Sequence, residues 1–217
     1  MRTLLRKELR LALHPTAPLF VALAAMVLIP NYPYEVIFFY LCLGVFFICL
    51  TGRENRDVAY SLLLPIPKGA IVTGRIALTV CLQLAQLAAL IPCVALRYAL
   101  MGGRNLAGLD AGVALFGLGL ALFGLFNLAF FPAYYRNPDK VGRPFLYGCL
   151  AMFAGMSADM AAVFALPFAR DVLDTPDPAH LPEKLAVLLA GALLYAAATW
   201  AAWRVSRARF VRTDQGF

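Results

Sequence analysis

Three groups of residues in this chain have side chains suited to a reaction or to a bound ion. Ser157 stands in a Gly155-Met156-Ser157 triplet, a setting that suits a nucleophile, but a serine needs a base to take its proton. The two histidines, His14 and His180, fall at or beyond the edges of the apolar runs, so no Ser–His dyad is available. Cys42, Cys49, Cys81, Cys93 and Cys149 all lie inside apolar runs, with no CxxC pair and no His or carboxylate at ligand spacing. They read as small buried hydrophobes rather than metal ligands or disulfide partners. The stretch Gly69-Ala70-Ile71-Val72-Thr73-Gly74-Arg75-Ile76 has the two glycines of a phosphate-cradling loop. Arg75 stands where that loop has its phosphate-reaching Lys, and Ile76 where it has the hydroxyl that holds magnesium. The residues therefore predict no catalytic, cofactor or metal site in this chain. If ATP and magnesium drive it, another chain binds them.

A fourth group is polar and lies within apolar runs, where an ionisable side chain is costly and marks a functional candidate. Asp159 is the clear case, about 15 residues into the fifth run, or ~22 Å at 1.5 Å per residue. It is a candidate cation or proton site, or else a structural carboxyl bonded to a neighbouring helix. Gln83 and Gln86 share one face of the third run, and Asn127 lies in the fourth. They are candidates for a substrate pathway, or for hydrogen bonds that hold helices together.

The elements that must position these residues are set by hydropathy. Of 217 residues, 62% are hydrophobic and 14% charged, with a mean hydropathy of +0.77, against roughly 25% charged in a soluble domain. The expectation is an all-α polytopic membrane protein forming a single transmembrane domain over 1–217. Six spans are expected at about 16–30, 35–51, 76–97, 111–132, 145–167 and 184–203, where each needs about 20 residues to cross ~30 Å of hydrocarbon. The first two are short. The run after Ala22-Leu23-Ala24 continues to Ile29, and Glu8 stands in the leading segment, which argues for a retained span over a cleaved signal. Residues 1–14 place Leu5, Leu9, Ala12 and Leu13 on one helical face and Arg6, Lys7 and Arg10 on another, an interfacial amphipathic helix.

Fifteen of the nineteen Lys and Arg flank alternate loops: the N-terminus, 52–75, 133–144 and the C-terminal tail. The positive-inside rule puts those segments and both termini in the cytoplasm, the expectation being a bacterial plasma-membrane protein, and accounts for the net charge of +7 without a nucleic-acid partner. Ala114, Gly117, Ala121 and Gly124 line one face of the fourth span, a seam for close helix packing in lipid. The acidic loop 168–183 reads as an exit mouth or a plain connector, and the basic tail after Arg204 as a membrane-surface anchor.

Between the second and third runs lies the polar island Gly52-Arg53-Glu54-Asn55-Arg56-Asp57-Val58-Ala59-Tyr60-Ser61, followed by Leu62-Leu63-Leu64-Pro65-Ile66-Pro67-Lys68. A short helix over 53–64 is expected, stopped by Pro65 and Pro67. This order, with a charged Glu-Asn-Arg-Asp before a Leu-Pro pair, resembles the membrane subunit of type-2 ABC exporters (the ABC-2 permease family), above all the small permeases that export phenol-soluble modulins. The specific part of the likeness covers about residues 18–80; the last three spans match in layout alone. The resemblance implies that the chain pairs with a second permease, as a homo- or heterodimer, and with two cytoplasmic ATPase subunits that bind ATP and magnesium. It implies that 53–64 is a coupling helix docking on the ATPase through Glu54, Asn55, Arg56 and Asp57, with Tyr60 and Leu63 as apolar anchors. It implies an amphipathic peptide as the exported substrate. Two readings stand beside it: a transporter or channel independent of ATP that uses Asp159, and an intramembrane enzyme using Ser157.

Overall fold

The computed structural model describes residues 16–101, 105 and 107–212. The amphipathic segment 1–14, with His14, lies outside the described residues, as do 213–217. The described chain is helical, and no strand occurs among these residues. In order, α1 spans Ala17–Ala22 and runs into a 3-10 segment, Leu23–Leu28; α2 spans Glu35–Glu54, α3 Asp57–Leu62, α4 Lys68–Met101, α5 Val113–Tyr134 and α6 Gly142–Ala165; a π-turn covers Ala169–Leu173; and α7 spans Leu181–Arg212.

Five helices, α2, α4, α5, α6 and α7, are long and apolar enough to cross a membrane. The first expected span, 16–30, is different. It forms six α-helical residues and six 3-10 residues, a rise of about 21 Å, short of the ~30 Å hydrocarbon layer. The cause is proline spacing: Pro15 precedes it, Pro18 lies in its first turn, and Pro30 and Pro33 close it, so no longer helix fits between them. It packs inside the bundle against α2 and α4, with Phe20 against Gly44 and Ala17 against Ile48 and Leu78.

The other helices run past their apolar runs. α4 has 34 residues and α7 has 32, about 51 and 48 Å at 1.5 Å per residue, so both tilt or extend beyond the hydrocarbon. α3 is shorter than the expected 53–64. It begins after Arg56, whose φ of 50° and ψ of 37° are left-handed, and this residue turns the chain out of α2. Ordinary start signals place the rest: Pro144 lies in the first turn of α6 and Pro182 near the start of α7, where a missing N–H costs nothing.

α5 is the centre of the bundle, with α7 on one side and α6 on the other. Where α5 meets α7 the backbones nearly touch. A methyl on Gly117 would sit 2.7 Å from the Leu188 Cα, and one on Gly191 would overlap the Gly117 backbone. On its other faces α5 carries an aromatic column. Phe123 meets Phe38 of α2 edge-on at 5.4 Å, Phe126 and Phe130 stack at 5.1 Å, and Tyr135, just past the helix end, meets Phe210 of α7 at 5.4 Å.

Antiparallel succession gives the bundle two ends. One collects Arg53, Arg56, Lys68, Arg75, Arg136, Lys140, Arg143, Arg204, Arg207, Arg209 and Arg212; it is called the basic end below. At the other, the far end, each described cation stands beside a carboxylate: Arg97 at 4.0 Å from Asp110, Arg170 at 3.1 Å from Asp171, and Lys184 at 2.9 Å from Asp177. The asymmetry in net charge is therefore sharper than the residue count.

Candidate functional site

The polar island forms a folded projection at the basic end. The last turn of α2, the left-handed Arg56, α3 and the Pro65–Pro67 return together make a handle between α2 and α4. Its centre is an ion pair. The Arg75 guanidinium of α4 donates through Nη2 to Asp57 Oδ2 at 2.5 Å and through Nη1 to the Ile48 carbonyl at 3.2 Å. Both side chains are enclosed, Arg75 4% and Asp57 10% exposed. Gly52 gives the guanidinium room: a methyl there would lie 3.2 Å from Nη1. One arginine thus fastens α2, α3 and α4 together, with a charge-assisted bond in each direction.

Expected as a docking group, Asp57 has its carboxylate turned inward and engaged with Arg75. The other five remain outside. Glu54, Asn55 and Arg56 are exposed, Tyr60 is 55% and Leu63 81% exposed. Glu54 and Arg53 stand 3.9 Å apart in solvent, a pair worth little by itself. The handle presents an aromatic and an aliphatic side chain with charges of both signs behind them.

Within the bundle, Gln83, Gln86 and Asn127 are fully enclosed. Gln83 and Asn127 exchange two amide bonds: Gln83 Nε2 donates to Asn127 Oδ1 at 3.0 Å and Asn127 Nδ2 to Gln83 Oε1 at 3.1 Å. Asn127 also donates to Thr199 Oγ1 at 3.0 Å, and the Tyr195 hydroxyl donates to Gln83 Oε1 at 2.8 Å. This ties α4, α5 and α7 at mid-depth. Gln86 donates to the carbonyls of Phe20 and Ile37 at 3.2 and 3.0 Å; Phe20 O lies in the last turn of α1, where helix carbonyls lose their own partners. The three amides are directed at helices rather than into a cavity.

Ala114 and Gly117 are buried on the α7 side of α5, as is Gly124, whose added methyl would lie 3.0 Å from the Tyr195 Cα; Ala121 is half-buried. Ser157 faces outward on α6, and His180 is exposed at the far end, so the structure brings no base to that serine among the described residues. Nor do the described residues hold a cluster of three or more metal-ligating side chains.

Asp159 has a partner that the sequence reading did not pick out. The carboxyls of Asp159, on α6, and Glu35, the first residue of α2, face one another. Glu35 is 2% exposed. Glu35 Oε1 and Asp159 Oδ2 are buried, and no N–H or O–H donor reaches them. Ionised carboxylates only accept hydrogen bonds and repel one another, so a proton or a cation between the two would relieve the contact. The partnerships of Arg75 and Glu35 are not legible in the sequence, because each residue stands at the edge of an apolar run, where an ionisable residue reads as a boundary. The available signal was that every such residue, once drawn into a bundle, needs a partner.

The far end has a second network. Asp174 Oδ1 accepts from the Asp110 N–H at 2.8 Å, Asp177 Oδ2 accepts from the Val113 N–H at 3.0 Å and so caps α5, and Lys184 Nζ donates to Asp177 Oδ1 and to the Thr175 carbonyl. The loop 168–183 is therefore bound down onto α5. Arg97 lies over the Tyr34 ring at 5.2 Å. In the turn before α2, burial and then the Tyr40 hydroxyl push the Tyr32 phenol up to about 12, which keeps it neutral and adds no anion there.

Fold and sites define an all-helical bundle whose five long apolar helices suggest a membrane protein, with a folded projection at one end and polar ties between its helices. No family model, curated protein or solved structure matches the chain.

Proposed function

We propose that this chain is the membrane subunit of an ATP-driven exporter of the ABC-2 type, set in a bacterial plasma membrane with its basic end in the cytoplasm. What supports the reading is one feature: a short helix, stapled to its two flanking spans by Arg75 and Asp57, that leaves Glu54, Asn55, Arg56, Tyr60 and Leu63 exposed on the side richest in cations. A handle that transmits force must be rigid at its root and adhesive at its surface, and these residues divide those tasks. A separate ATPase subunit supplies ATP binding and hydrolysis with magnesium. Two such permeases pair, and an amphipathic peptide is the substrate class. Switching between inward- and outward-open states then follows from the ATPase binding the handle differently in its open and closed forms.

The test is purification of the tagged chain from its native membranes in mild detergent. The expected result is a stoichiometric soluble subunit whose ATP hydrolysis depends on the complex. Transport by this chain alone in liposomes, with no such subunit, would sink the proposal.

A second reading is favoured by the Glu35–Asp159 contact. A proton or cation held between two buried carboxyls near the far end suits a transporter coupled to an ion gradient. Among the described residues of adjoining elements, Arg97, Tyr34, Tyr98 and Asp110 are charged or titratable. Liposome uptake driven by a pH or cation gradient and lost in Asp159→Asn would favour this reading over the first.

A further inference from the structure

The basic end holds a cavity that neither reading uses. It measures about 530 Å³ and lies between the end of α5, the start of α6 and the last turns of α7. Arg136, Lys140, Arg143 and Arg209 line it, with Asn137 and Tyr147, and no lining residue is acidic. Arg209 is held in place by donating to the Pro132 carbonyl at 2.7 Å. Among the described residues no carboxylate forms an ion pair with Arg136, Lys140 or Arg143; Asp139, in the same turn, is exposed and does not line the cavity. The cations that converge on one cavity repel one another, Arg136, Lys140 and Arg143 above all, and an anion relieves that repulsion.

We propose that this cavity binds the phosphate of an anionic phospholipid. The choice of a lipid over a dissolved anion comes from what adjoins it. Directly beyond the cavity, α6 turns an apolar face outward: Leu146, Leu150 and Phe153 are 55%, 59% and 51% exposed, and Tyr147, half exposed, stands at the mouth. A headgroup in the cavity places its acyl chains along these side chains, with the tyrosine at the interface where aromatic residues collect. Arginine forks suit phosphate oxygens, and Lys140 adds a point charge. The site bridges α5, α6 and α7, so an occupied site clamps the basic ends of three helices. It rests on the chain spanning a bilayer and is independent of the exporter reading.

The test uses the full chain, purified in neutral detergent, with native mass spectrometry and thermal melts. The probes are phosphatidylglycerol, phosphatidylcholine and inorganic phosphate. Phosphatidylglycerol is expected to remain bound and raise Tm, and phosphatidylcholine to do neither. Arg136→Gln/Lys140→Gln/Arg143→Gln is expected to weaken phosphatidylglycerol retention on the order of a hundredfold, about fivefold per cation. The charge-matched Arg204→Gln/Arg207→Gln/Arg212→Gln variant is expected to keep it. If the triple variant fails to fold, Lys140→Gln alone carries the test, with about a fivefold loss expected. Equal losses in both triple variants, or equal retention of the zwitterionic lipid, would overturn the site. Stabilisation by phosphate with none by phosphatidylglycerol would overturn the lipid assignment.

Discussion

Arg75 and Asp57, on different helices, form one enclosed ion pair that fixes the projecting helix α3 to the bundle. Because the guanidinium also holds the Ile48 carbonyl, the pair links three helices rather than two. Removing one partner leaves the other charge buried and uncompensated. Asp57→Asn is expected to cost about 3–5 kcal/mol, read as a fall in Tm in detergent. The exchange Asp57→Arg/Arg75→Asp should recover part of that loss. No recovery, with additive single losses, would show that the two do not act as a pair.

The exposed face of the handle separates from its root. Tyr60→Ala/Leu63→Ser removes two exposed apolar side chains, so the melting curve should stay within about 0.5 kcal/mol of the parent. Under the exporter proposal the same variant loses its ATPase subunit on purification. A variant that unfolds, or one that keeps the subunit at full stoichiometry, contradicts this division of labour.

The amide exchange between Gln83 and Asn127 crosses the middle of the bundle, where no water replaces a lost bond. Asn127→Leu removes both bonds and the one to Thr199. At about 0.6–2 kcal/mol for a bond of this kind in a membrane, the loss should be clear in a denaturant titration. Asn127→Gln, with its longer reach, should fall between the parent and Leu. Unchanged stability in the Leu variant would mean that the network does not hold the helices.

Backbone contact between α5 and α7 makes Gly117 and Gly191 the least replaceable glycines in the bundle. Gly191→Val drives a side chain into the Gly117 backbone, and overpacking of this kind costs about 1–3 kcal/mol or more. Gly142→Ala, with nothing within 4 Å of the added methyl, should be neutral or slightly stabilising. Thermal melts of the two variants side by side test the contact. Equal stability would argue against it.

At the far end, Lys184 is fully enclosed and bound to Asp177 and Thr175. Lys184→Met keeps the length of the side chain and discards three donors. The expected loss is about 1.5–3 kcal/mol, accompanied by faster proteolysis in 168–183 as that loop comes away from α5. Retained protection of the loop would show that Asp174 and Asp177 hold it without the lysine.

How much of this was legible beforehand differs from one residue to the next. The five long apolar helices follow from local hydropathy, because the solvent for which each run is suited is written in its own composition. The break at Pro65 and Pro67 is equally local. The first run was legible only in part: its proline spacing, which leaves too little length for a full span, is local, but apolar content says nothing about whether a segment winds as an α-helix or a 3-10 helix. Asp57 was visible as a charge and as part of the island, but the direction in which its carboxylate turns was not. That depends on Arg75, eighteen residues on, arriving at the same depth and rotation. Gln83 stands out as polar in a span, yet Tyr195 and Thr199, which complete its network, read as ordinary residues of an alanine-rich helix.

Sequence alone determined the apolar helices, their approximate ends and the charge difference between the two sides, since each depends on neighbours along the chain. Only the tertiary structure decided which polar group meets which: Asp57 with Arg75, Gln83 with Asn127, Glu35 with Asp159. Those pairings depend on the relative depth and rotation of helices packed through Gly117, Gly191 and the aromatic column, and contacts between distant segments, not the pattern within any one of them, set that geometry.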